Sequence, residues 1–357
     1  MAVIMIRIYF LFYHYSHTVL VKTNTNFNKK RRYLKMAVRR LISSTRSEIR
    51  RMTKEELKQS IFASEGRVIL VQNYVGHSGM PEVSNPEISQ AFGADMIFFN
   101  GYSMDPNASM PGLVIEEYDE ERGYVNRQYR IPDLRKIIDV PLGVYLECGL
   151  GDDITTATAN MTLVRPDRVA SVENLKRVKE EGANFVVLGG NPGTRTSFDS
   201  IITATKRAKE VLGDEVLIFA GKWEDGVYEK VLGDPLADRP AKEVIKDLID
   251  AGADVICFPM PGSRTGITTE IIRECVEFTH RYKPGTLAMN FLDGSVEGAD
   301  EATVRECMLM SKQTGADIHA IGDAGGYGMP TPENIYQMSI TAKGRRLTWR
   351  RIAGGRR

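Results

Sequence analysis

The sequence predicts an α/β chain, a single (βα)8 TIM barrel with an N-terminal extension and a basic C-terminal helix and tail. Three observations predict it. From Arg67 onward, short apolar runs alternate with longer amphipathic runs, as strands alternate with helices around a parallel sheet. The apolar runs number eight, the number that closes a barrel of this kind. A short motif also recurs at every second unit, as Gly93-Ala94-Asp95, Gly182-Ala183-Asn184, Gly252-Ala253-Asp254 and Gly315-Ala316-Asp317. Each copy falls where a helix should close and a strand open, with glycine as the left-handed cap. An open doubly wound sheet with fewer strands accounts for this recurrence less well.

The chain divides into an extension at residues 1–35, a helical lead-in at 36–66, the barrel at 67–343 and a basic tail at 344–357. Within the extension, Ile4 to Val21 is apolar and aromatic. Arg7, His14, Ser16 and His17 interrupt it, so it falls short of the ~20 clean residues of a membrane span. Met36 reads as a second natural start, and residues 1–35 are expected to take no part in the fold; a weak membrane-surface anchor is the other reading. The expected strands are Val68–Asn73, Met96–Asn100, Leu142–Glu147, Phe185–Gly189, Val216–Ala220, Val255–Phe258, Leu287–Phe291 and Ile318–Ile321. Capping signals open the helices between them: Asn85 before Pro86, Ser171 before Val172-Glu173, and Thr331 before Pro332-Glu333. Amphipathic helix bodies cover Val172–Glu181, Ala241–Ala251, Thr268–Tyr282 and Glu301–Thr314. The longest connection, Gly101 to Tyr129, is rich in Gly, Pro, Asn and acidic residues, and a loop of that length usually covers a site.

Composition narrows the class. Hydrophobic residues at 42% and charged residues at 26% describe a globular chain with a sizeable core. Four cysteines without a Cys-x-x-Cys pair exclude a disulfide framework and a finger-type zinc site, and a reducing cytoplasm is the expected compartment. The net charge of +1 hides a partition: every acidic residue lies between Glu48 and Glu333, while ten Lys or Arg precede Glu48 and seven follow Glu333. An acidic body repels nucleic acid, so the basic ends are expected to dock on acidic protein surface of the body or of a neighbouring subunit. The partners expected are a small phosphorylated or carboxylate substrate and further copies of the chain, with no nucleic acid and no membrane span.

Barrel chemistry sits beyond the C-terminal strand ends, so the residues there are the candidates. The first strand ends in Gln72-Asn73, the second in Asn100 and the third in Glu147-Cys148. Asn191 follows the fourth, Lys222-Trp223-Glu224 the fifth, Arg264 the sixth, Asp293-Gly294-Ser295 the seventh and Asp323 the eighth, which itself carries His319. Strand alternation puts Gly143, Tyr145 and Glu147 on one face, Val216, Ile218, Ala220 and Lys222 on one face, and His319, Ile321 and Asp323 on one face, each read as inward. Lys222 is then a Schiff-base amine or an anion holder, or else the ion-pair partner of Glu147; Glu147 and His319 are acid/base candidates. Asn73, Asn100, Asn191 and Arg264 are candidate substrate contacts. Gly294-Ser295 and Gly325-Gly326, the latter ahead of the helix start at Thr331, are candidate phosphate turns. No motif demands a cofactor; Mg²⁺ on Asp323 and Glu147 is the candidate metal. Cys148, on the opposite strand face from Glu147, reads as a packing residue.

Four segments, Phe185 to Thr194, Phe219 to Lys222, Glu297 to Arg305 and Gly315 to Gly325, resemble an uncharacterised family of bacterial barrel proteins. Members carry labels such as phosphonomutase-like or haloacid-dehalogenase-like hydrolase, and the resemblance covers about Ser44 to Ala353. The haloacid-dehalogenase motif Asp-x-Asp-x-Thr is absent from the sequence. Asp323-Ala-Gly-Gly-Tyr-Gly is similar to the Asp-x-Asp-x-Gly-Tyr-Gly metal motif of the phosphonomutases, with the second aspartate missing and no Lys-Lys-Cys-Gly lid. Together these readings lead to a lyase or isomerase acting on a small anionic sugar or oxo-acid at the barrel mouth. The alternatives are a Mg²⁺-dependent phosphonomutase-like enzyme or hydrolase, and a barrel that binds a phosphorylated metabolite without turning it over.

Overall fold

A computed structural model describes residues 38–149, 164–191, 193–194, 196–224, 229–323 and 327–354. The extension assigned to residues 1–35 and the phosphate turn at Gly325-Gly326 lie outside the described residues. Residues Val38–Arg357 form one compact unit.

Eight parallel strands close into a barrel: β1 (Val68–Tyr74), β2 (Met96–Asn100), β5 (Leu142–Glu147), β6 (Phe185–Gly189), β7 (Leu217–Gly221), β8 (Val255–Pro259), β9 (Leu287–Leu292) and β10 (Ile318–Ile321). Around the barrel the order is β1-β10-β9-β8-β7-β6-β5-β2, so the first and last strands pair, with Val68 opposite Ile318 and Val71 opposite Ile321. Helices α1 (Arg46–Ile49) and α2 (Lys54–Phe62) precede the barrel. The outer ring is α3 (Asn85–Ala91), α4 (Ile131–Ile137), α5 (Val172–Glu180), α6 (Phe198–Leu212), α7 (Ala241–Ala251), α8 (Thr269–Tyr282), α9 (Glu301–Gln313) and α10 (Pro332–Gly354). Ser84 rather than Asn85 caps α3, in a capping box with Glu87, which leaves Asn85 and Pro86 as its first two residues.

The segment expected as the long loop contains an antiparallel hairpin, β3 (Val114–Asp119) and β4 (Gly123–Gln128), with Tyr118 opposite Tyr124. One edge of the hairpin bears both tyrosine rings in solvent, 5.6 Å apart. Two cores lie on the two faces of the barrel wall. Leu70, Phe98, Tyr145, Phe185, Phe219 and Phe291 fill the interior, while Val71, Phe99, Leu146, Ile218, Ala220 and Ile321 face the helices. The inward face of β7 is therefore Leu217 and Phe219, the opposite parity from the expected row of Val216, Ile218 and Ala220. A one-residue change of parity exchanges the two faces of any strand, and β10 is exchanged in the same way, with Ile318 and Ala320 inside.

The recurring Gly-Ala-Asp/Asn motif closes the N-terminal end of the barrel. Asp95 Oδ2 accepts the Ile69 N–H at 3.0 Å, Asn184 Oδ1 the Leu142 N–H at 3.0 Å, Asp254 Oδ2 the Ile218 N–H at 3.0 Å and Asp317 Oδ2 the Ala288 N–H at 2.8 Å. The backbone N–H of each of these four residues is donated in return to the carbonyl of the residue it caps, at 2.8 or 2.9 Å. Three of the four are carboxylates, and each of these meets a cation. Asp254 is 2.7 Å from Lys54 and 3.4 Å from Lys58, and Asp317 is 3.0 Å from His280. Fully buried Asp95 takes both Lys343 and Arg351, the latter at 3.1 Å, from the basic helix α10. That helix kinks at Gly344, whose φ of 73° and ψ of 159° are not helical. Arg351 also donates to the carbonyls of Leu41 and Ser44, so two of the C-terminal cations, Lys343 and Arg351, are held inside the fold. Among the described residues no helix is long and apolar enough to cross a membrane, and all four cysteines are free and buried.

Candidate functional site

At the C-terminal end of the strands a cleft of about 310 Å³ is lined by Gln72, Asn100, Asn191, Glu224, Arg264, Asp293, Gly294, Ser295, Glu297 and Asp323. Seven of the eight barrel strands contribute, through their last residues or the loops just beyond them, which is why residues so far apart in sequence meet. Trp223 underlies the carboxyl groups: its ring centroid is 5.2 Å from that of Phe291 and 6.2 Å from that of Tyr145, and its indole N–H donates to Asp293 Oδ2 at 3.2 Å. The other oxygen of Asp293 accepts the Gly294 N–H at 2.8 Å. Asp323 Oδ2 accepts from the Gln72 amide at 2.7 Å.

Burial governs the protonation of these acids. It raises Glu224 to about 7, with Glu297 and Asp323 adding to the rise and the Arg264 guanidinium opposing it. It raises Glu297 to about 7 with the help of Asp293. Asp293, hydrogen-bonded to Glu224, is pushed well above the usual carboxylate range by burial and by that neighbour. Charged carboxylates this close in a dry site cannot all ionise at neutral pH. Arg264 supplies the guanidinium of the lining, 3.4 Å from Glu224 and donating from Nε to the Trp223 carbonyl at 3.3 Å. It packs on Gly294, where φ is +80° and a Cβ would stand 2.7 Å from the guanidinium carbon, so only glycine fits. Ser295 holds φ of 78° without being glycine, a strained conformation of the kind that clusters at functional sites.

The fold brings six of the candidate residues into the cleft: Asn100, Asn191, Arg264, Gly294, Ser295 and Asp323. Glu147 stands behind Asn191 and is 5% exposed. It accepts the Asn191 backbone N–H at 3.0 Å and its side-chain amide, while Asn191 Oδ1 accepts from Asn100 at 3.3 Å. Burial raises Glu147 to about 7 against the opposing pull of these donors. Lys222 is buried with Nζ donating to the Glu224 carbonyl at 3.0 Å, and the acceptor bonds of Glu147 come from Asn191 and Thr194. His319 and Asn73 lie on the helix-facing side of the wall. His319 is held between Ser311 at 2.7 Å and the Gly66 carbonyl at 3.0 Å, and burial pulls its imidazole down to about 4. Asn73 donates to Ser89 of α3 at 2.8 Å. The helix start at Thr331 opens on a separate apolar groove of about 780 Å³ bearing Met80, Phe92, Tyr327 and Met329, apart from Gly294-Ser295. Sequence reasoning named Gln72, Glu224, Asp293 and Glu297 in passing and did not group them. The available signal was position alone, since each follows or ends a strand.

Asp323 and Glu147, the candidate ligands of Mg²⁺, are both hard oxygen donors suited to that ion. Asp323 is engaged by Gln72 and Glu147 by Asn191, and among the described residues no three His, Cys, Asp or Glu side chains are placed to share a metal ion. These residues do not fit the ion as they stand.

Fold and site together define a (βα)8 barrel with a small, acid-rich polar cleft at its C-terminal mouth. The chain belongs to the family described as a domain of unknown function (DUF7916), whose model matches residues 42–357. This agrees with the resemblance to an uncharacterised barrel family; the phosphonomutase and hydrolase labels are not part of the match. No curated protein matches the chain. Among solved structures it is similar to 2,3-dimethylmalate lyase, described as a PEP mutase/isocitrate lyase superfamily member. That pair shares 14% identity over 77% of this chain and 82% of the other, with a TM-score of 0.42. An archaeal fructose 1,6-bisphosphate aldolase shares 14% identity over 81% of this chain and 98% of the other, with a TM-score of 0.46. A lyase/mutase of Burkholderia cenocepacia J2315, whose assignment is itself provisional, shares 16% over 75% and 82%, at 0.42. Likenesses this distant assign no activity.

Proposed function

We propose that this protein is a barrel enzyme of lyase or isomerase type that acts by acid–base chemistry on a small anionic metabolite at its C-terminal mouth. The observation that carries the reading is the meeting of Arg264 with Glu224 and Glu297, both held at about 7, in one cleft. A carboxyl poised near neutrality can both give and take a proton, and such groups supply typically 10²–10⁴-fold of rate. In this reading Arg264 anchors the anionic group of the substrate through its planar fork. Glu224 and Glu297 exchange protons with the reacting carbon or oxygen. Glu147 is a positioning residue, holding Asn191 by both backbone and side chain. Lys222 is held against the Glu224 carbonyl, where it fixes the loop that carries that acid.

The test is a screen of small oxo-acids, hydroxy-acids, amino acids and sugar phosphates for turnover and for thermal stabilisation of the full chain. The reading expects at least one class to be consumed, with activity lost in Arg264→Leu and in Glu224→Gln while both variants stay folded. Stabilisation without turnover would make the protein a binding barrel. Borohydride trapping of an oxo-acid on Lys222 would move the chemistry from the carboxyls to that amine. Activity that vanishes in EDTA and returns with Mg²⁺ would overturn the metal-independent form of the proposal.

A further inference from the structure

We infer that the substrate of this cleft is a zwitterion, with its carboxylate on Arg264 and a primary ammonium group on the carboxyl cluster beside it. The inference rests on the anion-anchoring role proposed for Arg264 and adds the second half of the ligand.

Glu297 provides the first argument. It lines the cleft, is 2% exposed, and its Oε2 has no hydrogen-bond partner among the described residues. Buried carboxyl oxygens left without a donor are costly, and native structures seldom keep one without a reason. A donor on the ligand would complete it.

Charge narrows what that donor is. Among the described residues the lining carries four carboxyls, Glu224, Asp293, Glu297 and Asp323, against one guanidinium, that of Arg264. A phosphate dianion would add two negative charges to a cluster whose acids already cannot all ionise. A hydroxyl would satisfy one oxygen and leave the excess of negative charge as it was. A divalent metal, which can take one or two of these carboxyls together with waters, is the rival cation, and among the described residues no three such side chains are placed to share it. An ammonium group brings one positive charge and three donors in a compact volume, and so answers both the orphaned oxygen and the charge.

The other end of the ligand follows from Arg264. Both its described contacts, at 3.4 and 3.3 Å, lie beyond the usual range for an N–H donor, so the guanidinium can re-aim at a ligand carboxylate without breaking a strong bond. At about 310 Å³ the cleft is at the small end of ligand sites, the size of an amino acid rather than a nucleotide.

The experiment compares matched pairs on the full chain: L-alanine with propionate, L-aspartate with succinate, and L-glutamate with glutarate. Inorganic phosphate and MgCl2 serve as separate arms. Binding is read by thermal shift and by the fluorescence of Trp223, which touches Asp293, in a Trp349→Phe background. At least one amino acid should bind tenfold or more tightly than its des-amino partner. Glu297→Gln should erase that preference while leaving the affinity for the des-amino acid in place, and Arg264→Leu should weaken both. Equal binding within every pair would overturn the zwitterion and leave the carboxylate anchor standing. Binding of phosphate alone would overturn the zwitterion in favour of an oxyanion site. A shift with MgCl2 alone would make the cation a metal, and no shift with any probe would remove the anion anchor as well.

Discussion

The two ends of the barrel handle buried carboxylates in opposite ways. At the N-terminal end Asp95, Asp254 and Asp317 each accept a strand N–H and each meet a cation. At the mouth Glu224, Asp293, Glu297 and Asp323 crowd around Arg264, and burial lifts Glu224 and Glu297 to about 7. The residue types are the same and their charge balance differs. Where every acid is matched, charge fastens strands and termini. Where acids outnumber cations among the described residues, protons and ligands must supply what is missing, and reactivity becomes available.

Disrupting the matched end should cost most. Asp95→Ala leaves Lys343 and Arg351 buried without their carboxylate, and is expected to lower stability by about 3–5 kcal/mol in chemical denaturation. A loss below about 1 kcal/mol would show that the two ends do not differ in kind. At the mouth the expected effect has the opposite sign. Glu297 keeps its proton in the folded chain up to about 7, whereas in the unfolded chain it releases it near its ordinary 4.5. The folded state is therefore penalised as pH rises through that window. Glu297→Gln should be more stable than the parent at pH 9, by up to about 3 kcal/mol at 1.36 kcal/mol per unit, and the difference should disappear by pH 4. Thermal melts of the pair across pH settle this.

Arg264→Leu should change stability by less than about 1 kcal/mol, because its contact to Glu224 is long and partly solvated. Denaturation of the variant at pH 6, where Glu224 is largely protonated, checks it. The smallest effect belongs to His280, which its hydrogen bond to the Asp317 carboxylate raises above its ordinary 6.5. Its contribution is complete below pH 6.5 and fades as pH rises through the higher folded value. A His280→Gln comparison should show the gap closing between pH 6 and pH 9.

Legibility in sequence divides along the same line. The eight strands were readable because apolar runs and the Gly-Ala-Asp/Asn repeat are local signals, and each strand begins within one residue of its expected position. The hairpin was not, since the Glu and Asp residues of β3 gave Gly101–Tyr129 a loop composition that masked the period of two in its burial. Mouth residues at loop positions were found by their place after a strand, but which of them touch depends on how the barrel closes. His319 is expected at the mouth from an inward reading of its strand and Asn73 from its place at a strand's end, and both side chains point to the helices. Parity is a one-residue property, and neither neighbour in sequence reveals it.

The four caps at the closed end also impose an order on assembly. Each joins the two members of a consecutive strand pair, β1 with β2, β5 with β6, β7 with β8 and β9 with β10, through two hydrogen bonds. Neighbouring pairs are joined at this end by single backbone bonds, such as Leu217 N–H to the Asn184 carbonyl and Leu287 N–H to the Asp254 carbonyl, and β10 meets the start of β1 through His319 on the Gly66 carbonyl. Sequence separation is alike within and between pairs, so what sets the four modules apart is the doubled hydrogen bond of each cap against the single backbone bond of the joints. During refolding, the amides of Ile69, Leu142, Ile218 and Ala288 should gain exchange protection before those of Leu217 and Leu287, so that a closed eight-stranded ring grows by quarters.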